Sequence, residues 1–493
     1  MLNWALALLS SALLILAFPK ANLAGLAPVA LAPLLAAVTR ERRPFPRFLL
    51  GYGAGVVYWC GVCYWIQHDL ALNGGVGETV AWLLFLLFAL TKALHLAVFA
   101  LLAGWLMRRW WAAPSVAALW VAVEVTHGPL GFAWLALGNA GIDMGIPMRL
   151  APYTGVYGLS FLFAMMSAAL ALAALRRPRR ELLWLAIAPL ALLLPAMPEA
   201  RPGDESALLV QPNLSETAEW SAESLDRFEQ RLVELSLGGV LAGIAHPPSI
   251  VVWPEMPAPL YWNEDPNFRK HAAELTGATH AYLLSGIVAH TPQRAPLNSV
   301  MLVSPGGHAL SRYDKVNLVP FGEFVPWPFG FVNKISTEAG DFAAGSRVVV
   351  APVAGHRIGT FICYESAFPN FVRQFARGGA EALINVSNDG WFGHSAARRQ
   401  HLLLARMRAA ENRRWILRST NDGITATIDS AGRLRGTLPL YTEATSYTGF
   451  TYIAERTPYT RYGNWFVMLC ALVVVMGLLA ERMAPKKYLL QSA

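Results

Sequence analysis

The sequence RIGTFICYESAFP, residues 357–369, joins a short apolar run to a cysteine. The length of the run suits a strand, and it predicts a buried β-strand over 357–363 that delivers Cys363 at its carboxyl end. Ligand sites of open α/β sheets gather at such strand ends. Cys363 is therefore a candidate nucleophile, and a layered α/β domain is expected around it.

Two other segments are each interpreted as placing a reactive side chain just at or beyond a strand end. VVWPEMPAP puts Glu255 in a turn stiffened by prolines. RYDKVNLVPFGEFVP carries Lys315 and Glu323 eight residues apart in a loop. Because strand ends of an open sheet share one edge, we expect these side chains to lie near Cys363.

A carboxylate, a lysine and a cysteine together suit acyl transfer through a thioester. A thiol with a pKa of ~8.5 is mostly protonated at neutral pH and needs a base or a nearby cation to become a thiolate. A carboxylate can take that proton and later return it to a leaving group. An ammonium can stabilise the oxyanion of a tetrahedral intermediate, and the backbone N–H of Tyr364 is a second candidate donor to it.

Cys363 is the only cysteine between residues 201 and 464, so it cannot form a disulfide within that segment. The cysteine count alone favours an inert buried residue. The presence of Glu255 and Lys315 at comparable strand ends favours a thiol that is kept for chemistry.

Short apolar stretches alternate with helical patterns over residues 201–464, which predicts a layered α/β domain. The predicted strands are 206–211, 249–253, 281–288, 299–303, 357–363, 382–386, 414–419 and 424–429. The predicted helices include 221–242 and 395–413. A solvated or headgroup-facing surface is expected for the arginines in and around the second helix, Arg398, Arg399, Arg406, Arg408, Arg413 and Arg414.

The composition is that of a membrane protein, because 55% of the 493 residues are hydrophobic and only 15% are charged. Apolar residues are densest before residue 198, where they form runs near the ~17–25 residues that cross a bilayer. The runs predict eight spans at 3–18, 22–38, 48–66, 78–106, 114–127, 153–175, 182–198 and 465–481. The expected fold is a multi-span helical bundle (residues 1–200 and 465–493) with an inserted α/β domain over 201–464.

Basic residues between the predicted spans are concentrated on one side of the membrane. That side holds Arg40, Arg42, Arg43, Arg47, Arg108, Arg109, Arg176, Arg177, Arg179, Arg180, Arg482, Lys486 and Lys487, and the opposite short loops hold only Lys20 and Arg149. Cytoplasmic loops carry such an excess. Both termini are therefore expected inside and segment 201–464 outside the cytoplasm, and the net charge of +8 is a topology signal rather than a sign of nucleic-acid binding.

Several polar residues fall within predicted spans. Lys92, His95 and Glu124 are expected to face the bundle interior or a wet cavity, since a charge in hydrocarbon is costly. Helix pairing and a direct catalytic role both remain open for them. Cys60 and Cys63 form C-x-x-C inside an apolar helix and are interpreted as packing residues.

Three tripeptides together resemble the nitrilase superfamily: W-P-E at 253–255, Y-D-K at 313–315 and C-Y-E at 363–365. Members of that superfamily carry a Glu-Lys-Cys triad on an αββα sandwich. The whole chain, with seven predicted spans before the domain and one after it, resembles the apolipoprotein N-acyltransferases. Further matches are LVPFGEFVP at 318–326, NDGWFG at 388–393, and QPN at 211–213 followed by Trp220.

The resemblance implies a two-step reaction at the periplasmic side of a bacterial inner membrane. Cys363 would take an acyl chain from a phospholipid such as phosphatidylethanolamine and pass it to the α-amine of a diacylglyceryl apolipoprotein. Glu255 would be the base and Lys315 the electrostatic partner. Glu323, Tyr364 and Glu365 would support them. A monomer without cofactor is expected, and Trp220 and WPFGF (327–331) are candidates for either lipid contact or packing.

Two alternatives remain. A membrane-tethered amidase would use the same triad and pass the acyl group to water, although one anchor would suffice for a soluble substrate. A non-catalytic scaffold or transporter would carry a decayed domain, against which the intact triad argues. The histidines show no metal-ligand spacing in the soluble segment and no glycine-rich phosphate loop follows a strand, so neither a metal nor a nucleotide is predicted.

Overall fold

The structure, a computed structural model, describes the chain except residues 73, 131, 200, 202, 204, 244–246, 326–341 and 484–493. It divides into two compact units. The helical unit consists of Met1–Tyr64, Leu83–Ala196 and the segment that starts at Tyr462. The sheet unit consists of Trp65–Trp82 and Met197–Arg461.

Helices are numbered along the chain. They are α1 (Leu2–Ala17), α2 (Ala32–Arg40), α3 (Pro44–Val62), α4 (Trp65–Leu72), α5 (Glu78–Leu106), α6 (Ala112–Glu124), α7 (Gly145–Met148), α8 (Ala151–Thr154), α9 (Val156–Ala174), α10 (Ala222–Ala242), α11 (Pro266–Thr279), α12 (Pro369–Arg377), α13 (Ala397–Asn412), α14 (Pro458–Tyr462) and α15 (Trp465–Met483). Segments of 3-10 helix cover Ala24–Val29, Val125–His127, Leu137–Asp143, Arg179–Leu193, Cys363–Ala367 and Asp389–Phe392.

Within the described residues, two helices, α5 and α9, are long and apolar enough to cross a membrane. Helices α3 and α4 are long and apolar enough only when they are taken together, and they are bent by 57° relative to each other. They add a third span only if this bent pair crosses the membrane as a single span. Shorter apolar helices occupy Leu2–Ala17, Ala24–Arg40 and Trp465–Glu481. The sequence predicts eight spans, and these helices do not confirm that number.

Prolines account for part of the difference. The predicted span 22–38 is divided by the 3-10 segment Ala24–Val29, which contains Pro28. The predicted span 182–198 forms the 3-10 segment Arg179–Leu193, with Pro189 inside it. Proline lacks the N–H that an α-helix interior needs, so these apolar runs do not become continuous α-helices.

The sheet unit contains two six-stranded sheets. Their strands are β1 (Glu205–Gln211), β2 (Ile250–Val252), β3 (Tyr282–His290), β4 (Pro296–Val303), β5 (Ala309–Asp314), β6 (Val350–Val353), β7 (His356–Ile362), β8 (Ala382–Ser387), β9 (Ile416–Thr420), β10 (Ala426–Ile428), β11 (Leu434–Thr437) and β12 (Ala444–Phe450). The strand orders are β12-β1-β2-β3-β4-β5 and β11-β10-β9-β8-β7-β6.

The two sheets repeat one pattern. Starting from β12 in one sheet and β6 in the other, successive pairs are antiparallel, parallel, parallel, antiparallel and antiparallel. Strand β5 therefore runs in the direction of β2, so both end at the same edge of their sheet. Ser419 of β9 links the sheets, since its hydroxyl donates to the carbonyls of Val210 (2.7 Å) and Val252 (3.2 Å).

Helices cover the outer faces of both sheets. Helices α10 and α11 pack together on the first sheet, and their apolar residues share a core with Trp253, Leu208 and Leu283. Helices α12 and α13 pack on the second sheet, against β7 and β9. The resulting layers are helix, sheet, sheet and helix, which is the predicted α/β sandwich.

Candidate active site

Cys363 follows β7 directly and begins the 3-10 segment Cys363–Ala367. Its residue is 6% exposed, and its φ of +48° lies in the left-handed region. A non-glycine residue held there costs about 1–3 kcal/mol and persists only where its surroundings fix it. The backbone at the candidate nucleophile is therefore strained and depends on its neighbours.

Glu365 joins the turn at Cys363 to the residues after β5. Its carboxylate accepts hydrogen bonds from the N–H groups of Ile362 (2.8 Å), Val316 (2.8 Å) and Asn317 (3.1 Å) and from the Tyr313 hydroxyl (2.7 and 2.8 Å). Burial raises the pKa of Glu365 to about 7, against the opposing effect of these hydrogen bonds. One buried carboxyl thus fixes the position of both the cysteine turn and the loop that begins at Lys315.

Lys315 is 1% exposed and lies between two carboxylates. Its Nζ is 2.8 Å from Glu323 Oε1 and 3.4 Å from Glu255 Oε1. Burial lowers the pKa of Lys315, but the charges of Glu255 and Glu323 outweigh it and hold the pKa above its ordinary value. The lysine is therefore a fixed cation within the site.

Asn298 of β4 connects the two carboxylates, and sequence reasoning did not find it. Its Nδ2 donates to Glu255 Oε1 and to Glu323 Oε1, at 2.6 Å each. The backbone carbonyl of Asn298 also accepts a hydrogen bond from the backbone N–H of Lys315 (2.8 Å). An asparagine inside a strand pattern carries no signal of such a role, because only the fold brings the three residues beside it.

Glu255 lies three residues beyond the end of β2, and the WPE segment is anchored by Trp253. That tryptophan is fully buried in the core, and its Nε1 donates to the Ser236 hydroxyl (2.9 Å). The second carboxylate oxygen of Glu255 accepts from the N–H of Asn388 (2.8 Å), just after β8. Both sheets therefore hold the candidate base.

The charges of Glu255 and Lys315 both affect the pKa of the Cys363 thiol. Burial raises the pKa of the thiol above its ordinary value, the charge of Glu255 raises it further, and the charge of Lys315 lowers it. A hydrogen bond with Ser387 also lowers it. The resting site therefore pairs a protonated thiol with a carboxylate that can accept the proton and a cation that can stabilise the resulting negative charge.

Family models match two parts of the chain. Residues 207–454 match the carbon-nitrogen hydrolase family, and residues 10–169 match the apolipoprotein N-acyltransferase N-terminal domain. The apolipoprotein N-acyltransferase of Geobacter metallireducens is 33% identical, with 97% of this chain and 95% of that protein covered. The chain belongs to the apolipoprotein N-acyltransferase family. It is accordingly a membrane acyltransferase family member with a nitrilase-type domain, as the sequence motifs predicted.

Other proteins are similar over nearly the whole chain or over part of it. The apolipoprotein N-acyltransferase of Pseudomonas putida is 30% identical, with 97% of each chain covered. The structure of Saccharomyces cerevisiae Nit3, a member of branch 10 of the nitrilase superfamily, is similar with a TM-score of 0.40 and 16% identity. That similarity covers 57% of this chain and 96% of Nit3.

Of the remaining predicted site residues in this apolipoprotein N-acyltransferase family member, the structure describes Glu323, Tyr364 and Trp220. Glu323 is 8% exposed, and its second oxygen accepts from the N–H of Val319 (2.8 Å). Tyr364 is buried with its ring edge-on to Phe368. Trp220 is partly buried and packs on Phe228, with ring centroids 5.4 Å apart, which favours packing over lipid contact. Residues 327–331 lie outside the described residues.

The predicted basic surface around α13 is wrong for half of its arginines. Arg398, Arg408 and Arg414 are at most 2% exposed, and each bonds within the sheet unit. Arg398 binds Asp422 (2.7 Å), and Arg408 binds Glu411 (2.9 Å). Sequence spacing did not reveal the acceptors that make burial of these cations possible.

The charged residues of the predicted spans have partners inside the helical unit. Lys92, 2% exposed, donates to the carbonyl of Phe132 (3.0 Å) and faces the ring of Trp59. Glu124 accepts from Trp120 Nε1 (2.9 Å) and from the N–H of Leu137 (2.7 Å). Both groups thus occupy the bundle interior.

One group of side chains in the described residues could offer donor atoms to a metal ion. Asp226 and Glu229 of α10 and His271 of α11 have donor atoms within 4.8 Å of one another. His271 Nδ1 is 3.0 Å from Glu229 Oε2, so the residues already pair among themselves. They lie on the two helices that cover the first sheet, and the contacts of the candidate triad do not include them.

Proposed function

We propose that the protein transfers a fatty acyl chain from a membrane phospholipid to the N-terminal α-amine of a diacylglyceryl apolipoprotein. The transfer passes through a thioester on Cys363 in a ping-pong sequence. One observation carries the proposal: the buried ammonium of Lys315 lies between Glu255 and Glu323, and the charges of Lys315 and Glu255 act on the Cys363 thiol. Membership of the apolipoprotein N-acyltransferase family supplies the substrate classes.

In the first step, the Glu255 carboxylate takes the thiol proton as Cys363 Sγ attacks the ester carbonyl of the phospholipid. The oxyanion of the tetrahedral intermediate is stabilised by the Lys315 ammonium and by the N–H of Tyr364. Collapse breaks the ester C–O bond, and Glu255 returns the proton to the departing lysophospholipid oxygen. Glu323 keeps Lys315 charged and oriented throughout, and Glu365 holds the turn on which the cysteine stands.

In the second step, the α-amine of the lipoprotein attacks the thioester carbonyl. Glu255 accepts the proton that the amine loses, and Lys315 again faces the oxyanion. The C–S bond then breaks, an amide is formed, and the proton passes from Glu255 to the thiolate of Cys363. The enzyme is restored without any net change in protons.

We place residues 201–464 as the catalytic domain on the periplasmic side of a bacterial inner membrane, with 1–200 and 465–493 as the membrane part. Eight spans remain our proposal, and the 3-10 segment Arg179–Leu193 is compatible with one of them. At ~2.0 Å per residue, its 15 residues reach about 30 Å, the thickness of the hydrocarbon core. Both substrates are lipids, and keeping the acyl chain at the bilayer avoids a cost of ~0.8 kcal/mol per CH₂ exposed to water.

An assay with two acceptors tests the proposal. The purified protein is mixed with phosphatidylethanolamine labelled in its acyl chain and a diacylglyceryl-cysteine peptide with a free N-terminus, and label on the peptide is measured by mass spectrometry. The expected result is one acyl group on the α-amine, and none on the same peptide with an acetylated N-terminus. Release of free fatty acid at the same rate with or without the acceptor would instead identify a hydrolase.

A further inference from the structure

His401 of α13 contacts the backbone of the candidate nucleophile. The residue is fully buried, and its Nε2 lies 2.9 Å from the carbonyl oxygen of Cys363. A carbonyl oxygen only accepts hydrogen bonds, so the Nε2–H group of His401 is the donor in this contact. The bond reaches the residue whose φ of +48° marks the strained point of the turn.

The other side of the His401 ring faces Asp389. Its Nδ1 is 2.9 Å from Asp389 Oδ1, and Arg418 donates to both oxygens of that carboxylate at 3.0 and 2.8 Å. The Ser387 hydroxyl donates to the same carboxylate (2.8 Å). Burial opposes ionisation of Asp389, but Arg418 and His401 outweigh it and hold its pKa well below the ordinary value. The ring orientation is thus fixed by an ionised, fully bonded carboxylate.

Ring packing holds the imidazole from a further direction. Phe392 meets His401 edge-on, with ring centroids 5.5 Å apart, and Trp65 of α4 meets Phe392 in the same manner at 5.0 Å. His401 therefore has contacts on both nitrogens and on its ring. Because these contacts restrain the His401 ring, its hydrogen bond also restrains the carbonyl group of Cys363.

We propose that His401 is a positioning residue: through Nε2 it holds the left-handed peptide of Cys363 so that Sγ faces Glu255 and Lys315. The inference rests on the proposed function for its catalytic meaning, and it assigns no contact between His401 and substrate. Losing the Nε2 bond would release a strained turn, and a misplacement of ~1 Å at a reacting atom can cost about 100-fold in rate.

Two substitutions separate the roles of the two ring nitrogens. In His401→Gln the amide nitrogen can reach the position of Nε2 and still donate to Cys363. In His401→Asn the shorter side chain reaches only the position of Nδ1, so it retains contact with Asp389 and loses Cys363. His271→Gln is the matched control, because His271 is also a buried histidine bonded to a carboxylate, Glu229, in the same unit.

Two readouts are measured on the full-length variants: alkylation of Cys363 by iodoacetamide across pH, followed by peptide mass spectrometry, and acyl transfer with kcat and KM separated. We expect His401→Asn to lower kcat about 100-fold with little change in KM, and to change the rate and pH midpoint of alkylation. His401→Gln should keep most of both, and His271→Gln should match the wild type.

The opposite order, with His401→Asn active and His401→Gln inactive, would overturn the proposal. An equal loss of acyl transfer in both variants, with Cys363 alkylated as in the wild type, would also overturn it. Equal loss of both readouts would also overturn it if the thermal midpoints matched that of the wild type. Alkylation does not require acyl transfer. A wild-type protein without transfer would therefore contradict the proposed function, while the alkylation series would still decide the role of His401.

Discussion

At the scale of single residues, the proposed reactivity of the site depends on the charge balance around Lys315. Two carboxylates share one ammonium, and the side-chain amide of Asn298 donates a hydrogen bond to each of them. Without those donors the carboxylates would compete for the lysine, and Glu255 would be less free to act on the thiol. Asn298 is therefore as much a part of the geometry as the residues that the motifs identify.

Substitution of Asn298 by alanine tests this arrangement. A hydrogen bond to a charged group contributes about 1.5–3 kcal/mol, so we expect Asn298→Ala to slow acylation of Cys363 by about 10- to 100-fold. Single-turnover formation of the acyl-enzyme measures the effect. Asn267→Ala, an exposed asparagine of α11, is the control and should acylate at the wild-type rate. Equal acylation rates in the wild type, Asn298→Ala and Asn267→Ala would show that Asn298 does not contribute to the site.

The thiol should respond to its two charged neighbours with opposite signs. The charge of Glu255 raises the pKa of Cys363, so Glu255→Gln should move the midpoint of its alkylation to lower pH. The charge of Lys315 lowers that pKa, so Lys315→Met should move the midpoint to higher pH. Both variants should lose acyl transfer. Alkylation of the Cys363 peptide as a function of pH measures the shifts, and two shifts of equal sign would contradict the assignment.

Cys363 and Glu255 were predictable as candidates because each follows or ends a predicted apolar strand, and Lys315, which follows the edge strand β5, was predictable only from the Y-D-K motif. Asn298 and His401 were not, since one lies inside a strand and the other on a helix. Their roles depend on neighbours that are distant in sequence: His401 is 38 residues from Cys363, and Asn298 is 43 residues from Glu255. The sequence shows which side chains are present but not which distant residues they contact.

At the scale of elements, the strands separate into those with an apolar signal and those without. The strands β1–β4 and β7–β10 correspond to predicted segments, whereas β5, β6, β11 and β12 were missed. The missed strands are the two edges of each sheet. Edge strands are half-solvated, as the partly exposed residues of β5 and β12 illustrate, so they lack the apolar runs on which the predictions relied.

Glu365 joins two of these elements, and its removal should affect both. Glutamine would place an NH₂ group against N–H donors, leaving buried groups unpaired at a cost of about 1–3 kcal/mol. We expect Glu365→Gln to lower the thermal midpoint and to slow acylation of Cys363, because the loop with Lys315 and the cysteine turn lose their common anchor. Differential scanning fluorimetry and single-turnover acylation measure the two effects. An unchanged midpoint with full activity would show that the turn does not depend on this carboxyl.

At the scale of the whole molecule, charge along the sequence predicts a topology that the helices alone do not determine. The concentration of arginines in alternate loops predicts that residues 201–464 face away from the cytoplasm. Helix lengths give no such direction, since only two or three of the described helices are long enough to span. Topology therefore calls for a direct measurement.

Single cysteines at exposed positions provide that measurement. Lys270 of α11 has a side chain that is 70% exposed, and Arg42 is exposed in a loop that is predicted to be cytoplasmic. With a membrane-impermeant maleimide on intact spheroplasts, Lys270→Cys should be labelled, and Arg42→Cys should be labelled only after permeabilisation. The unsubstituted protein corrects for the four natural cysteines. The reverse pattern would invert the topology.

The most direct measurement of the central claim is the mass of the peptide that contains Cys363 after the purified protein meets phosphatidylethanolamine vesicles without an acceptor. We predict one added acyl group on Cys363, released by hydroxylamine and lost when a diacylglyceryl-cysteine peptide is added. An acyl group on another residue, or undiminished transfer by a Cys363→Ala variant, would contradict the account.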